Sequence, residues 1–172
     1  MRYTPGANMQ DLLDLFRHNA WANAKVYGLA AALGDRVIVT DAPGTQGTIH
    51  STLAHLARVE RSYLAMIEER PLDSLEAREV YLAHEVAWFA DEIREVGSAY
   101  LLAIQASTPE SLQRDLSIPW FAFPVSAREG LLQVLTHSAQ HRSQVLSWLA
   151  GQGVETPDLD YVVMLGELRS TS

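Results

Sequence analysis

The sequence predicts an all-α protein: a bundle of four long helices followed by a short C-terminal tail helix. Three observations predict it. Four segments, near residues 9–33, 47–69, 74–107 and 126–151, carry apolar residues at a period close to that of a helix. The stretches between them concentrate helix breakers, at Pro43-Gly44, Pro71, Thr108-Pro109 and from Pro119 to Pro124. No internal repeat, low-complexity tract or linker divides the chain, so residues 1–172 are expected to form one domain.

In the first segment Leu12, Leu13, Phe16, Ala20, Ala24 and Tyr27 follow a helical stripe, and Gly34-Asp35 closes it. A loop to Gly47 follows, with β-branched Val37, Ile38 and Val39 expected to be extended. The second helix opens near Thr45 or Thr48, and Pro71 ends it. Its apolar stripe runs through Ile49, Leu53, Leu56, Tyr63 and Ile67 and is interrupted by Glu60; Thr52, His55, Val59 and Met66 trace an adjoining stripe. The third helix is expected from Ser74 to Ser107 with a bend near Gly97-Ser98, and its His84-Glu85 reads as a solvated pair. Trp120, Phe121 and Phe123, lying between two prolines, are expected to pack over an end of the bundle. Ser126 with Glu129 forms a capping box for the fourth helix, which Gly151 and Gly153 close. Thr156-Pro157-Asp158 marks the start of the tail helix, whose apolar turn from Leu159 to Leu165 can fold back on the bundle.

At 172 residues with 48% hydrophobic content, the chain can bury a sizeable core without staples. It has no cysteine, which excludes disulfides, thiolate metal sites and a thiol nucleophile from the protein, and points to a reducing, cytoplasmic setting. A net charge of −8 argues against nucleic-acid binding. No apolar run reads as a signal peptide or a membrane span.

The chemistry sits in the fourth helix. Leu131, Val134, Val145 and Trp148 share one stripe, and His137 and His141 fall on it where a bundle would be expected to carry Leu or Val. An i, i+4 pair places two imidazoles one turn apart on one face, where both can reach a single first-row metal ion. The same spacing also arises by chance in cores and on surfaces. Zinc proteases of the His-Glu-x-x-His type share it, but Ser138 stands where they need glutamate. A third ligand can come from the second helix. His55 and His50 compete for that place, about 140° apart around the helix, and the more apolar flanks of His55 favour it. His18 and His84 read as ordinary hydrogen-bonded or exposed residues. Glu60, Arg142 and Gln144 read equally well as supports of the site or as surface.

Asn19-Ala20-Trp21-Ala22-Asn23, Leu53-Ala54-His55-Leu56 with Glu60 and Leu64, and His137-x-x-x-His141-Arg142-Ser143-Gln144 occur in this order across nearly the whole chain. In these motifs the sequence resembles the DinB-like (damage-inducible, YfiT-related) family of metalloenzymes, although Ser143 stands where family members often have glycine. The resemblance implies a four-helix bundle that is not simply up-and-down, and a divalent metal on three His with open positions. It also implies a homodimer. Zinc is the first choice and nickel the second. The family includes transferases that use low-molecular-weight thiols of the bacillithiol, mycothiol or glutathione type. The leading expectation is therefore transfer of such a thiol cosubstrate to a small electrophile, with His55, His137 and His141 as ligands. The alternatives are a metal-dependent hydrolase using metal-bound water and a non-catalytic metal-binding bundle acting in stress response. A ferritin-like di-iron site is disfavoured, because the paired Glu-x-x-His motifs it needs are absent.

Overall fold

The computed structural model describes residues 8–33, 38–72, 75 and 77–170. Four long helices form the bundle: α1 (Asn8–Ala32), α2 (Ile49–Ile67), α4 (Val86–Ala106) and α6 (Ala127–Gly151). Short helices α3 (Arg78–Tyr81) and α5 (Pro109–Leu112) lie in the connections, and α7 (Tyr161–Ser170) is the tail. Two small antiparallel hairpins accompany the helices among the described residues. In one, β1 (Asp41–Ala42) pairs with β2 (Gly47–Thr48), Asp41 opposite Thr48; in the other, β3 (Asp115–Leu116) pairs with β4 (Val125–Ser126), Leu116 opposite Val125.

The packing fixes an unusual order. Both α1 and α2 pack against α4 and α6, so consecutive helices α1 and α2 sit on opposite corners. Two apolar clusters give the directions. Leu12 and Phe16 of α1 meet Tyr63 and Leu64 of α2, Tyr100 and Ile104 of α4, and Leu131 and Val134 of α6 at one end. Val26 and Ala30 meet Ile49 and Leu53, Phe89 and Ile93, and Val145 and Leu149 at the other. Thus α2 and α4 run parallel to each other and antiparallel to α1 and α6. Neighbouring parallel helices need a long crossover connection, which falls between Ile67 and Val86, with Tyr81 buried at the far end.

That crossover corrects the single helix expected from Ser74 to Ser107. The chain leaves helical geometry after Tyr81 and re-enters at Val86, with Glu85 extended at the cap. The carbonyl of His84 freed at this break is taken by Nε2 of His50, 2.8 Å away. The His84 ring, partly buried, stacks on Trp88 at 3.7 Å, and Glu85 is exposed. Gly97 does not interrupt α4 either. It lets α1 approach, since a Cβ there would lie 3.0 Å from that of Ala20.

Helix ends follow local chemistry. Thr48 caps α2 by accepting from the Ser51 N–H, and Ser126 with Glu129 closes both arms of the capping box on α6. Helix α2 stops at Ile67, ahead of Pro71, because Glu69 turns left-handed at φ 57°. The N–H of Arg70 then reaches the Ala65 carbonyl and that of Glu69 reaches Met66, a Schellman closure. Extended backbone falls in the β1–β2 hairpin, where Gly44 turns at φ 87°, and not at Ile38 or Val39; Val37 and the expected α1 stop at Gly34-Asp35 lie outside the described residues. Helix α7 starts at Tyr161, later than Pro157 suggested, and docks on α1. Nε2 of His18 meets the Leu159 carbonyl, while Glu167 accepts from Trp21 and Lys25. No helix among the described residues is long and apolar enough to cross a membrane.

The loop before α6 covers its end of the bundle differently from the expectation. Leu112, Leu116, Ile118 and Val125 fill the core there. Trp120, Phe121 and Phe123 stay 38–63% exposed, with Trp120 edge-on to Tyr63.

Candidate metal centre

Between the two apolar clusters lies a polar layer. Glu60, 0% exposed on α2, accepts at Oε1 from Nδ2 of Asn19 (3.1 Å), Nδ2 of Asn23 (2.9 Å) and the Ser138 hydroxyl. Arg142, 5% exposed on α6, donates from Nη1 to the Oδ1 atoms of the same two asparagines, at 2.6 and 2.8 Å. The amides of α1 thus relay between a buried carboxylate and a buried guanidinium. The expected stripes shift accordingly. On α1 the core face passes through Asn19 and Asn23 while Ala24 is exposed; on α6 it runs through Leu131, Val134, Ser138, Arg142, Val145 and Leu149, and Trp148 is only half-buried.

This layer sets the rotation of α6. With Ser138 and Arg142 turned inward, their neighbours His137 and His141 flank the core stripe and face α2. There the structure brings them to His55. Nε2 of His137 lies 3.1 Å from Nε2 of His55 and 3.2 Å from Nε2 of His141. All three ligand atoms fall within 4.8 Å of one another. Three imidazole nitrogens on a tetrahedral ion at Zn–N bonds of about 2.0–2.1 Å sit roughly 3.3 Å apart, so the cluster has the dimensions of a coordination face. The other histidines do not join it: His50 is bonded to the His84 carbonyl, His18 to Leu159, and His84 stacks on Trp88.

Protons alone serve this cluster poorly. Nδ1–H of His141 donates to Oε1 of Gln144 at 2.7 Å, which leaves a lone pair on its Nε2 when the ring is neutral. A single proton on Nε2 of His137 can satisfy His141 or His55, but not both. A cation satisfies all three. Burial, first, and then the like charge of neighbouring groups hold His55 and His137 down at about 4; burial also lowers His141, against the Gln144 hydrogen bond. The imidazoles are therefore neutral at physiological pH, the form that binds metal.

A stability consequence follows for the metal-free protein. The folded pKa values of His55 and His137 lie near 4 against an ordinary 6.5, so the unfolded chain binds more protons between those limits. Their contribution is fully present above pH 6.5 and is lost as pH falls toward 4. Thermal melts of chelator-treated protein should show Tm falling across that window, and His137→Gln should flatten part of the fall. An unchanged slope in the variant would refute the assignment.

Two cavities open beside His55. One, of about 360 Å³, is lined by His55, Arg58, Tyr63, Trp120, Phe121 and His137. The other, of about 70 Å³, lies between His55, Arg58 and Arg78. Trp120 and Phe121 of the 119–124 loop thus flank the histidines, a role that their composition alone did not signal.

Residues 9–167 match the DinB family. The chain belongs to that family. Two solved structures share the bundle. YfiT from Bacillus subtilis, described as a probable metal-dependent hydrolase with an unusual four-helix bundle topology, superposes with a TM-score of 0.70 at 12% identity, covering 90% of this chain and 93% of YfiT. A DinB-like protein from Bacillus cereus ATCC 10987 gives 0.68 at 19% identity, covering 87% of this chain and 95% of its own. No curated protein matches this DinB family chain in sequence.

Proposed function

We propose that His55, His137 and His141 hold one divalent metal, zinc first and nickel second, and that the protein is a metal-dependent enzyme transferring a small thiol to an electrophile. The observation that carries this reading is the convergence of three neutral Nε2 atoms beside a cavity. A divalent ion held by three neutral imidazoles keeps its full charge and open positions, and supplies a Lewis acid that ionises a thiol or a water near neutral pH. The protein's part is positional. Gln144 fixes the His141 tautomer, the Glu60–Arg142 layer fixes the helix carrying two of the rings, and Trp120 and Phe121 wall the cavity.

Among the described residues lining the two cavities none is a carboxylate, and the histidines there, His55 and His137, are the proposed ligands. No other described side chain there is suited to take a proton from water, whereas a thiol, with a pKa of about 8.5, needs far less assistance. That favours thiol transfer over hydrolysis. With no cysteine in the chain, the thiol comes as a cosubstrate of the bacillithiol, mycothiol or glutathione type. Hydrolysis is the second reading, favoured by the description of YfiT. A reducing cytoplasm, where such thiols persist, and a homodimer through exposed apolar residues such as Leu102 and Val162 belong to the same reading.

Turnover of an aryl halide by zinc-loaded protein should saturate with added thiol and vanish after chelation. Cleavage of aryl esters without any thiol would replace the first reading by the second. Bound metal with no turnover on either panel would leave a binding protein and sink both.

A further inference from the structure

The two cavities beside His55 differ in kind. The wider one is walled by Val59, Tyr63, Trp120 and Phe121, an apolar and aromatic surface. The smaller niche is polar, bounded by Gln46, Ser51, Arg58 and Arg78. His55 and Arg58 border both, so a molecule lying across them passes the histidine cluster. A niche of about 70 Å³ exceeds the roughly 10–15 Å³ that one water needs, and has room for a single anionic group.

Arg58 projects from α2 one turn beyond His55, is half-buried, and its Nε is buried without a hydrogen-bond partner. Neither Arg58 nor Arg78 has a carboxylate partner among the described residues. Their neighbours contrast with them: Arg61 is held by both oxygens of Glu92, and Arg70 by Glu68. A buried donor left unpaired costs about 1–3 kcal/mol, and a chain of net charge −8 has carboxylates in plenty with which to pair it. Instead the described residues that line both cavities include none. A cationic niche with low-dielectric walls attracts anions, and a guanidinium fork matches the two oxygens of a carboxylate or phosphonate.

We propose that Arg58, assisted by Arg78, is the specificity determinant of this site and grips an anionic oxygen group of the substrate, whose apolar body lies against Trp120 and Phe121 across the histidine cluster. The substrate class is thus a small amphipathic anion, bearing a carboxylate or a phosphate-type group. This rests on the proposed function for the site's being catalytic, but the anion grip itself does not require the metal.

Calorimetry of phenylacetate, phenylacetamide and benzylphosphonate, on both metal-free and zinc-loaded protein, separates the two. Phenylacetate is expected to bind about tenfold or more tighter than its amide, the scale of a charge-assisted hydrogen bond, and to do so in both forms. Arg58→Met should erase the preference, Arg58→Lys should restore part of it, and Arg94→Met on the outer face of α4 should leave it intact. Tighter binding of benzylphosphonate, equally lost in Arg58→Met, would support the grip and assign it to a phosphate-type group. Equal affinity for acid and amide would overturn the proposal. So would a preference seen only with zinc and retained in Arg58→Met, because the metal would then be taking the anion. Protein that retains no zinc yet keeps the Arg58-dependent preference would sink the metal reading alone.

Discussion

Alanine at His55, His137 or His141 is expected to strip the protein of zinc under dialysis that leaves the wild type loaded. Loss of a hydrogen bond that merely supports a ligand lowers metal affinity by about 10–100-fold. Loss of a ligand from a set of three should cost more, because the remaining pair closes only one small chelate. Gln144→Ala tests the lower figure, since its Oε1 holds the His141 ring from 2.7 Å. His50, His18 and His84 each have a partner elsewhere, at the His84 carbonyl, the Leu159 carbonyl and the Trp88 ring. Alanine at any of these three should leave metal content unchanged. The measurement is metal per chain in the six variants after equal dialysis. Retention in all six would abolish the site. Loss in His50→Ala with retention in His55→Ala would move the third ligand.

What could be read in advance depended on whether the deciding partner was local. The α6 start was legible because Ser126 and Glu129 satisfy each other three residues apart. The His137/His141 pair was legible because one helical turn sets its geometry. The α3–α4 break was not, since no Gly or Pro interrupts residues 74–96 and apolar Val80, Tyr81 and Leu82 continue the helical period through it. It arises from topology: parallel α2 and α4 demand a crossover, and His50, from a different helix, takes the freed carbonyl. The apolar period of α1 selects Ala20 and Ala24 and leaves out Asn19 and Asn23, because a buried amide is stable only with a partner. That partner, Glu60, lies 41 and 37 residues away. The aromatic loop misled for a related reason. Hydrophobicity signals burial, but Leu116, Ile118 and Val125 had already filled the end of the core.

The polar layer should be the most sensitive point of the fold. Glu60→Ala is expected to cost about 3–5 kcal/mol, the range for breaking a buried charge pair, which is a third or more of the roughly 5–15 kcal/mol that stabilises a domain. The cause is what remains behind. Arg142 stays 5% exposed, and burial pushes its guanidinium pKa down while Glu60 is the first influence holding it up. The Nδ2 donors of Asn19 and Asn23 and the Ser138 hydroxyl lose their common acceptor together. Glu60→Gln keeps an acceptor oxygen and loses the charge, so it should fall between. Removing both charges in Glu60→Leu/Arg142→Leu should be less damaging than the sum of the single changes, as apolar replacements of buried pairs often are. Urea unfolding of these variants, with Glu60→Leu and Arg142→Leu as the single arms of a double-mutant cycle, measures each effect. Metal content should fall alongside stability in Glu60→Gln, because the layer orients the helix that presents His137 and His141. A loss below about 1 kcal/mol for Glu60→Ala, within the ordinary range of single substitutions, would show that water or rearranged amides replace the carboxylate and that the layer does not hold the site.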